Sequence, residues 1–183
     1  GLVTGAQVAL WLERSVSLFR QIMPGGRDQP LIDAEFPSSH FDMIHGLRYR
    51  VDLRQPPRFD AAGREVNAEA QRIRDLTLAS GVPLGPKDRV VLATHNYRAS
   101  GGAGFAGTGQ RANVVFTGKE RVRDLIADYI RSGQGTHLRA GWSFVPMSGT
   151  SVIFSGAASE MLPQAVEPLG PEPEGFMRFR LTL

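Results

Sequence analysis

Arg89-Val90-Val91-Leu92-Ala93-Thr94-His95-Asn96-Tyr97-Arg98-Ala99-Ser100-Gly101-Gly102-Ala103-Gly104-Phe105 is the stretch whose reading decides the fold. Its first part, Arg89 to Thr94, holds a continuous apolar run. Such a run marks a central strand buried on both faces. The second part is rich in glycine as far as Gly109. Glycines let a backbone turn sharply and let a ligand approach it closely. A Gly-rich loop at the end of a buried strand is also where open α/β sheets bind ligands. Pattern alone leaves the loop open to two readings, an ordinary flexible connection or a ligand site. Tyr97 stays equally open, as a core aromatic or as a ring offered to an aromatic ligand. A phosphate cradle is disfavoured, because no Lys-Ser/Thr follows the loop and no G-x-G-x-x-G opens a helix there.

Upstream, Thr4 to Ile22 reads as a helix. Thr4 and Gln7 form the T-x-x-Q capping-box pattern. Val8, Trp11, Leu12, Ser15, Phe19 and Ile22 recur at helical spacing and define a buried face. Pro24-Gly25-Gly26 is the expected stop. A loop then runs from Arg27 to about His40, broken by Pro30 and Pro37. Leu47 to Leu53 alternates apolar and polar residues, the pattern of a half-buried strand. Its expected partner is Arg72 to Leu78, followed by a turn at Ala79-Ser80-Gly81 and a short return through Val82-Pro83-Leu84. The polar, Pro-rich stretch Gln55 to Asn67 reads as a surface excursion.

Downstream, Asn113 to Phe116 reads as a short strand. Thr117 and Glu120 suggest a second capping box. The helix they would start carries Val122, Leu125, Ile126, Tyr129 and Ile130 on one face, and Gly133 closes it. Trp142 to Val145, Ser151 to Phe154 and Phe176 to Leu183 read as strands. Pro163 to Glu174 reads as a loop. The expected architecture is a mixed α/β (α+β) domain with several strands and few helices.

The 183 residues fit one domain, or one and a half, and a hydrophobic content of 42% fills a real core. No stretch approaches the roughly 20 apolar residues of a membrane span. The opening Gly1-Leu2-Val3 shows neither a leader pattern nor an initiator Met. The expectation is therefore a piece of a longer protein. With no cysteine, disulfides, thiolate metal sites and thiol catalysis are excluded, while the compartment stays open. The net charge of +3 comes from scattered basic residues, mostly Arg, without a block or stripe. That gives mild help to an anionic ligand and does not suggest binding to a nucleic-acid polymer.

Generic catalytic patterns are absent: there is no G-x-S-x-G, H-E-x-x-H, Walker-type G-K-[ST] or C-x-x-C. The histidines are His40, His45, His95 and His137. His40 and His45 lie five apart, which is not a recognised metal-ligand spacing, and both read as surface or structural residues. No catalytic residue and no metal site are expected in this chain.

Four ordered segments carry a family resemblance. Ala93-Thr94-His95-Asn96-Tyr97-Arg98-Ala99-Ser100-Gly101-Gly102 resembles the A-T-N-N-Y-R-A-x-G-G motif of the 5′-nucleotidase C-terminal domain family. Thr4-Gly5-Ala6-Gln7 with Trp11-Leu12-Glu13-Arg14-Ser15 resembles its T-G-x-x-L-x-x-W-L-E-x-S helix. Phe41-Asp42-Met43-Ile44-His45-Gly46 resembles F-D-V-I-D-G, and Gln55-Pro56-Pro57-Arg58-Phe59-Asp60 resembles Q-P-x-R-Y-D. Phe105-Ala106-Gly107-Thr108-Gly109 continues the match, which runs from Thr4 to about Trp142. Within the family the chain is most similar to the bifunctional 2′,3′-cyclic-nucleotide 2′-phosphodiesterase/3′-nucleotidases.

The resemblance implies a layered sandwich with mixed β-sheets over residues 1–183. It implies a domain that binds the nucleoside, with the base stacked between two aromatic rings. The second ring corresponds to Tyr97, and the loop after it to Arg98, Ala99, Ser100, Gly101, Gly102 and Ala103. The first ring would precede Gly1. Hydrolysis would fall to an N-terminal metallophosphatase domain of the same polypeptide holding two divalent metal ions, so this chain alone would be inactive. A periplasmic, secreted or cell-surface location is implied, with a nucleotide or nucleoside as ligand and neither a membrane nor a nucleic-acid polymer as partner. Two departures stand out. His95 and His45 replace the family's Asn and Asp, and Ala103 stands where the 5′-nucleotidase branch has a ligand-contacting Asp. The second argues against that branch. The alternatives are a 5′-nucleotidase or nucleotide-sugar hydrolase of the same superfamily, or a non-catalytic nucleotide-binding module.

Overall fold

The structure, a computed structural model, describes residues 1–109, 113–133, 141–159 and 162–183. His137 lies outside the described residues. Strand β1 (Leu2–Thr4) leads into helix α1 (Gly5–Val16), and Thr4 caps that helix as its sequence foretold. The Thr4 hydroxyl accepts the Gln7 N–H at 3.2 Å and the Gln7 side chain accepts the Thr4 N–H at 2.8 Å. Both are donors that a helix start otherwise leaves unpaired.

The helix ends at Val16, a turn and a half before the expected stop. The chain beyond it pairs with other segments instead: Arg20 N–H donates to the Leu31 carbonyl and Ile22 N–H to the Leu53 carbonyl. Leu18, Phe19 and Ile22 still enter the core, but Leu18 does so from a turn and the other two from non-helical backbone. The buried Arg72 guanidinium takes over the helix end, with Nη1 donating to the carbonyls of Val16 at 3.0 Å and Phe19 at 2.5 Å. Glu13 balances that cation and accepts the backbone N–H groups of Arg72 and Ile73. Burial raises the Glu13 pKa and pushes Arg72 down to about 10.

Strands β2 (Gln29–Pro30), β3 (Leu47–Val51), β4 (Ile73–Leu78) and β5 (Arg89–Val91) follow, then a one-turn helix α2 (Asn96–Ala99) and a longer helix α3 (Val122–Arg131). Strands β6 (Trp142–Phe144), β7 (Ser151–Ala157), β8 (Val166–Pro171) and β9 (Phe176–Thr182) complete the described elements. They form a β1-β5 ribbon, a β4-β3-β6 sheet and a β2-β7-β9-β8 sheet. Both larger sheets are mixed, with β3 parallel to β6 and β2 parallel to β7. The architecture is mixed α/β with few helices, as expected. The β3–β4 pairing and the Ala79-Ser80-Gly81 turn also form as read. A bulge interrupts the pairing at Asp75, whose φ of 53° is left-handed.

The core gathers the buried face of α1 (Val8, Leu12, Val16) with Phe19, Ile22, Tyr49, Val51, Leu53 and Val152. Phe19, Phe41, Trp142 and Phe144 form an aromatic cluster at its side.

Four further expectations fail. The apolar run at β5 is not central: among the described residues it pairs only with β1, and Val91 is 69% exposed. Asn113 to Phe116 forms no strand. Arg121, not Thr117, is the N-cap of α3, and no side chain caps it. The Pro163 to Glu174 stretch is also no plain loop, since it contains β8. None of the described helices is long and apolar enough to cross a membrane.

Candidate functional site

The turn that carries Tyr97 begins at His95, whose extended backbone feeds α2. Tyr97 therefore sits in a one-turn helix rather than in a loop. Ala99 N–H donates to the His95 carbonyl, and Ser100 N–H and Oγ both donate to the Asn96 carbonyl. Gly101, at φ 97°, then reverses the chain in a conformation costly for other residues. Gly109 N–H returns to the Ala99 carbonyl at 3.0 Å, so residues 100–108 form a closed surface loop.

Within this frame the seven sequence-predicted residues divide. Tyr97 projects outward and is 54% exposed. The His95 ring lies parallel to it, at 6.2 Å between centroids and 6° between planes. Gly102 packs against the same ring: a Cβ there would stand 2.6 Å from ring carbons of Tyr97. Any side chain at 102 would therefore move the ring. Ser100 is exposed, and Ala99, Gly101, Gly102 and Ala103 are half-buried. Ala103 takes a left-handed backbone, φ 62° and ψ 14°.

Arg98 turns the other way and is 4% exposed. Its Nε donates to Asp42 Oδ2 at 2.8 Å, and its Nη2 to Asp42 Oδ1 at 3.1 Å and the Ser39 carbonyl at 2.7 Å. The guanidinium carbon lies 4.4 Å from the centre of the buried Phe105 ring and 5.5 Å from that of Tyr97. Phe105 in turn contacts Trp11 of α1 at 5.0 Å. A ladder of π faces thus runs from α1 outward through Phe105 and Arg98 to Tyr97 and His95. Arg98, expected at the ligand, supports Tyr97 from beneath.

The segment that holds Arg98 is itself tied down. Ser15 Oγ donates to the Asp42 carbonyl at 2.7 Å and accepts the Asp42 N–H. His40 Nδ1 lies 3.3 Å from the Arg14 guanidinium, which also donates to the carbonyls of Asp60 and Ala61. Burial first, and then the cations Arg14 and Arg98, lower the His40 pKa. Neutral His40 can accept from Arg14 where imidazolium could not.

Sequence reading noticed the Phe41-Asp42 motif without giving Asp42 a role. Its partner lies 56 positions away, and one sequence gives no local signal for that pair. The reading also leaned on the end of a buried central strand as the ligand position. With β5 exposed in a ribbon, that support falls away, and the site rests on the ring and its underpinning. Among the described residues no three His, Asp or Glu side chains gather as a metal site would require. They do not fit a divalent-metal pair.

A 5′-nucleotidase, C-terminal domain model matches residues 1–110, which include α1, the Asp42 segment and the turn that carries Tyr97. The chain belongs to that family. It is 33% identical over 199 residues to the 2′,3′-cyclic-nucleotide 2′-phosphodiesterase/3′-nucleotidase of Haemophilus influenzae, covering 98% of this chain and 30% of that protein. The protein of the same name from Salmonella typhimurium is 39% identical over 129 residues, 69% of this chain and 20% of its own length. The trifunctional nucleotide phosphoesterase protein YfkN of Bacillus subtilis is 37% identical over 158 residues, 85% of this chain and 11% of its own. The chain thus spans less than a third of the relatives it matches. No solved structure matches it.

Proposed function

We propose that residues 1–183 are the nucleoside-recognising C-terminal domain of a hydrolase that acts on 2′,3′-cyclic nucleotides and 3′-nucleotides. Tyr97 stacks on the base, and the turn from Ala99 to Ala103 borders the nucleoside. Arg98 serves from below. The observation that carries this reading is the Tyr97 ring itself, more than half exposed yet seated on the buried, ion-paired Arg98 guanidinium. A core aromatic would be covered, and a mobile surface tyrosine would lack that support. Stacking tolerates base identity, because every base has a π face. That suits an enzyme of nucleotide catabolism.

In this reading hydrolysis belongs to a metallophosphatase domain on the same polypeptide, which supplies two divalent metal ions to polarise the phosphoryl group and activate water. The recognition domain contributes placement of the substrate. By itself it releases no phosphate. A periplasmic or cell-surface location goes with the same reading.

The test is Tyr97→Ala in the intact enzyme. Nucleotide binding is expected to weaken by about 1–3 kcal/mol, chiefly as a raised KM. Tyr97→Phe stays near wild type, and p-nitrophenyl phosphate, which has no base, is turned over as before. An equal loss on every substrate, with a large fall in Tm, would reject the stacking role.

A further inference from the structure

We infer that Asp42 is a positioning residue of the nucleoside site: by holding Arg98 it sets where the Tyr97 ring stands. The inference rests on the nucleoside reading of Tyr97 and adds a residue 55 positions upstream that touches no ligand. Three N–H groups from two elements converge on its carboxylate. Arg98 of α2 supplies two, and the indole Nε1 of Trp11 in α1 supplies the third at 3.1 Å. Ser15 of α1 clamps the Asp42 backbone by accepting its N–H and donating to its carbonyl. Asp42 is thus fixed to α1 at both ends, and what it fixes in turn is α2.

The carboxylate is suited to this task for chemical reasons. It accepts at both oxygens, and the guanidinium offers a planar fork that matches it. The fork fixes the orientation of the guanidinium plane as well as its distance. That orientation matters because Phe105 and Tyr97 both lie against the guanidinium. Gly102 adds the opposing constraint on the Tyr97 ring. Asparagine at 42 would turn an amide N–H₂ toward a guanidinium that only donates. Lysine at 98 would keep the charge and lose both the fork and the plane.

The experiment uses the 183-residue chain with ¹³C-labelled histidine and tyrosine, in wild type, Asp42→Asn, Tyr97→Ala and the double variant. Three quantities are read: Tm, adenosine Kd at a temperature where all variants are folded, and the shifts of the His95 ring resonances. In the wild type the parallel Tyr97 ring, 6.2 Å away between centroids, is expected to displace those resonances. Asp42→Asn is expected to move them toward free-imidazole positions and to weaken adenosine binding roughly tenfold, the order of one lost base stack. In the Tyr97→Ala background the same substitution changes Kd no further, because it acts through that ring.

A lowered Tm with unchanged Kd and unchanged His95 resonances overturns the inference, since a merely structural contact would do only that. So does a Kd effect that simply adds to that of Tyr97→Ala. If Tyr97→Ala binds adenosine like the wild type, the nucleoside reading fails instead; if the chain, without the first ring, binds no adenosine, Kd gives no readout. The His95 resonances then decide alone: moved by Asp42→Asn, they uphold the positioning role; unmoved, they refute it. Should Asp42→Asn fail to fold, Arg98→Lys breaks the same fork and is judged by the same outcomes.

Discussion

Helices α1 and α3 have the same kind of sequence and opposite fates. Both carry apolar residues at helical spacing, and both follow a Thr-x-x-Gln/Glu pattern. In α1 the stripe enters the core, the capping box closes, and Arg72 takes the last carbonyls. In α3 no residue is buried: Val122, Leu125, Ile126, Tyr129 and Ile130 all face outward, and Thr117 caps nothing. Periodicity therefore specifies that a helix has an apolar side. It does not specify what that side meets. The difference lies in long-range partners, and α1 has them in Asp42, Asp60 and Arg72.

The largest expected contrast follows from burial. Leu12 is wholly buried, while Leu125 is 53% exposed. Leu12→Ala should cost about 2–5 kcal/mol through lost transfer energy and a residual cavity. Leu125→Ala should stay within about 0.5 kcal/mol. Urea unfolding of the chain measures both, and equal losses would mean that the α3 face is covered in solution.

A smaller contrast concerns the caps. Thr4→Ala removes an acceptor from the first turn of α1 and should cost about 1 kcal/mol. Thr117→Ala should change stability negligibly, because its hydroxyl caps no helix. A loss at both positions would show that the second box forms after all.

The smallest effect tests a surface tie of the anchored half against pH. Asp28 binds Arg180 with both oxygens and accepts from Ser151, and these bonds lower its pKa to about 2. A carboxylate depressed in this way stabilises the fold above its unfolded value, near 3.8, and loses that contribution as pH falls through the folded value. The Tm difference between wild type and Asp28→Asn should therefore be full above about pH 4 and close toward pH 2. A difference that is constant across this range would remove the ion pair as its cause.

What could be read from the sequence was local. The Thr4 capping box, the Ala79-Ser80-Gly81 turn and the apolar face of α3 rest on residues within a few positions of one another. Family resemblance supplied the layered fold and drew attention to Tyr97. Other features depended on distant partners. The run at Val90 to Ala93 looks the same whether two strands flank it or one. Helix α1 stops early because Leu31 and Leu53 compete for its backbone. Strand β8 was concealed by Pro168 and Pro171, which a central strand would exclude; an edge strand accommodates them, and β8 is the edge of its sheet. Arg98 entered as a ligand contact through the family resemblance, and its carboxylate partner lies 56 positions upstream, where no local pattern points to it.

Ala103 has one more consequence. Its left-handed backbone is strained for alanine by about 1–2 kcal/mol, whereas Asp and Asn visit that region more readily. The loop geometry is therefore already suited to an acidic side chain at the place where the 5′-nucleotidase branch carries one. Alanine and aspartate codons can differ at a single base. Under the proposed function, selection can thus exchange the group at 103 in one step while the surrounding hydrogen bonds stay as they are, and substrate preference would evolve without rebuilding the turn.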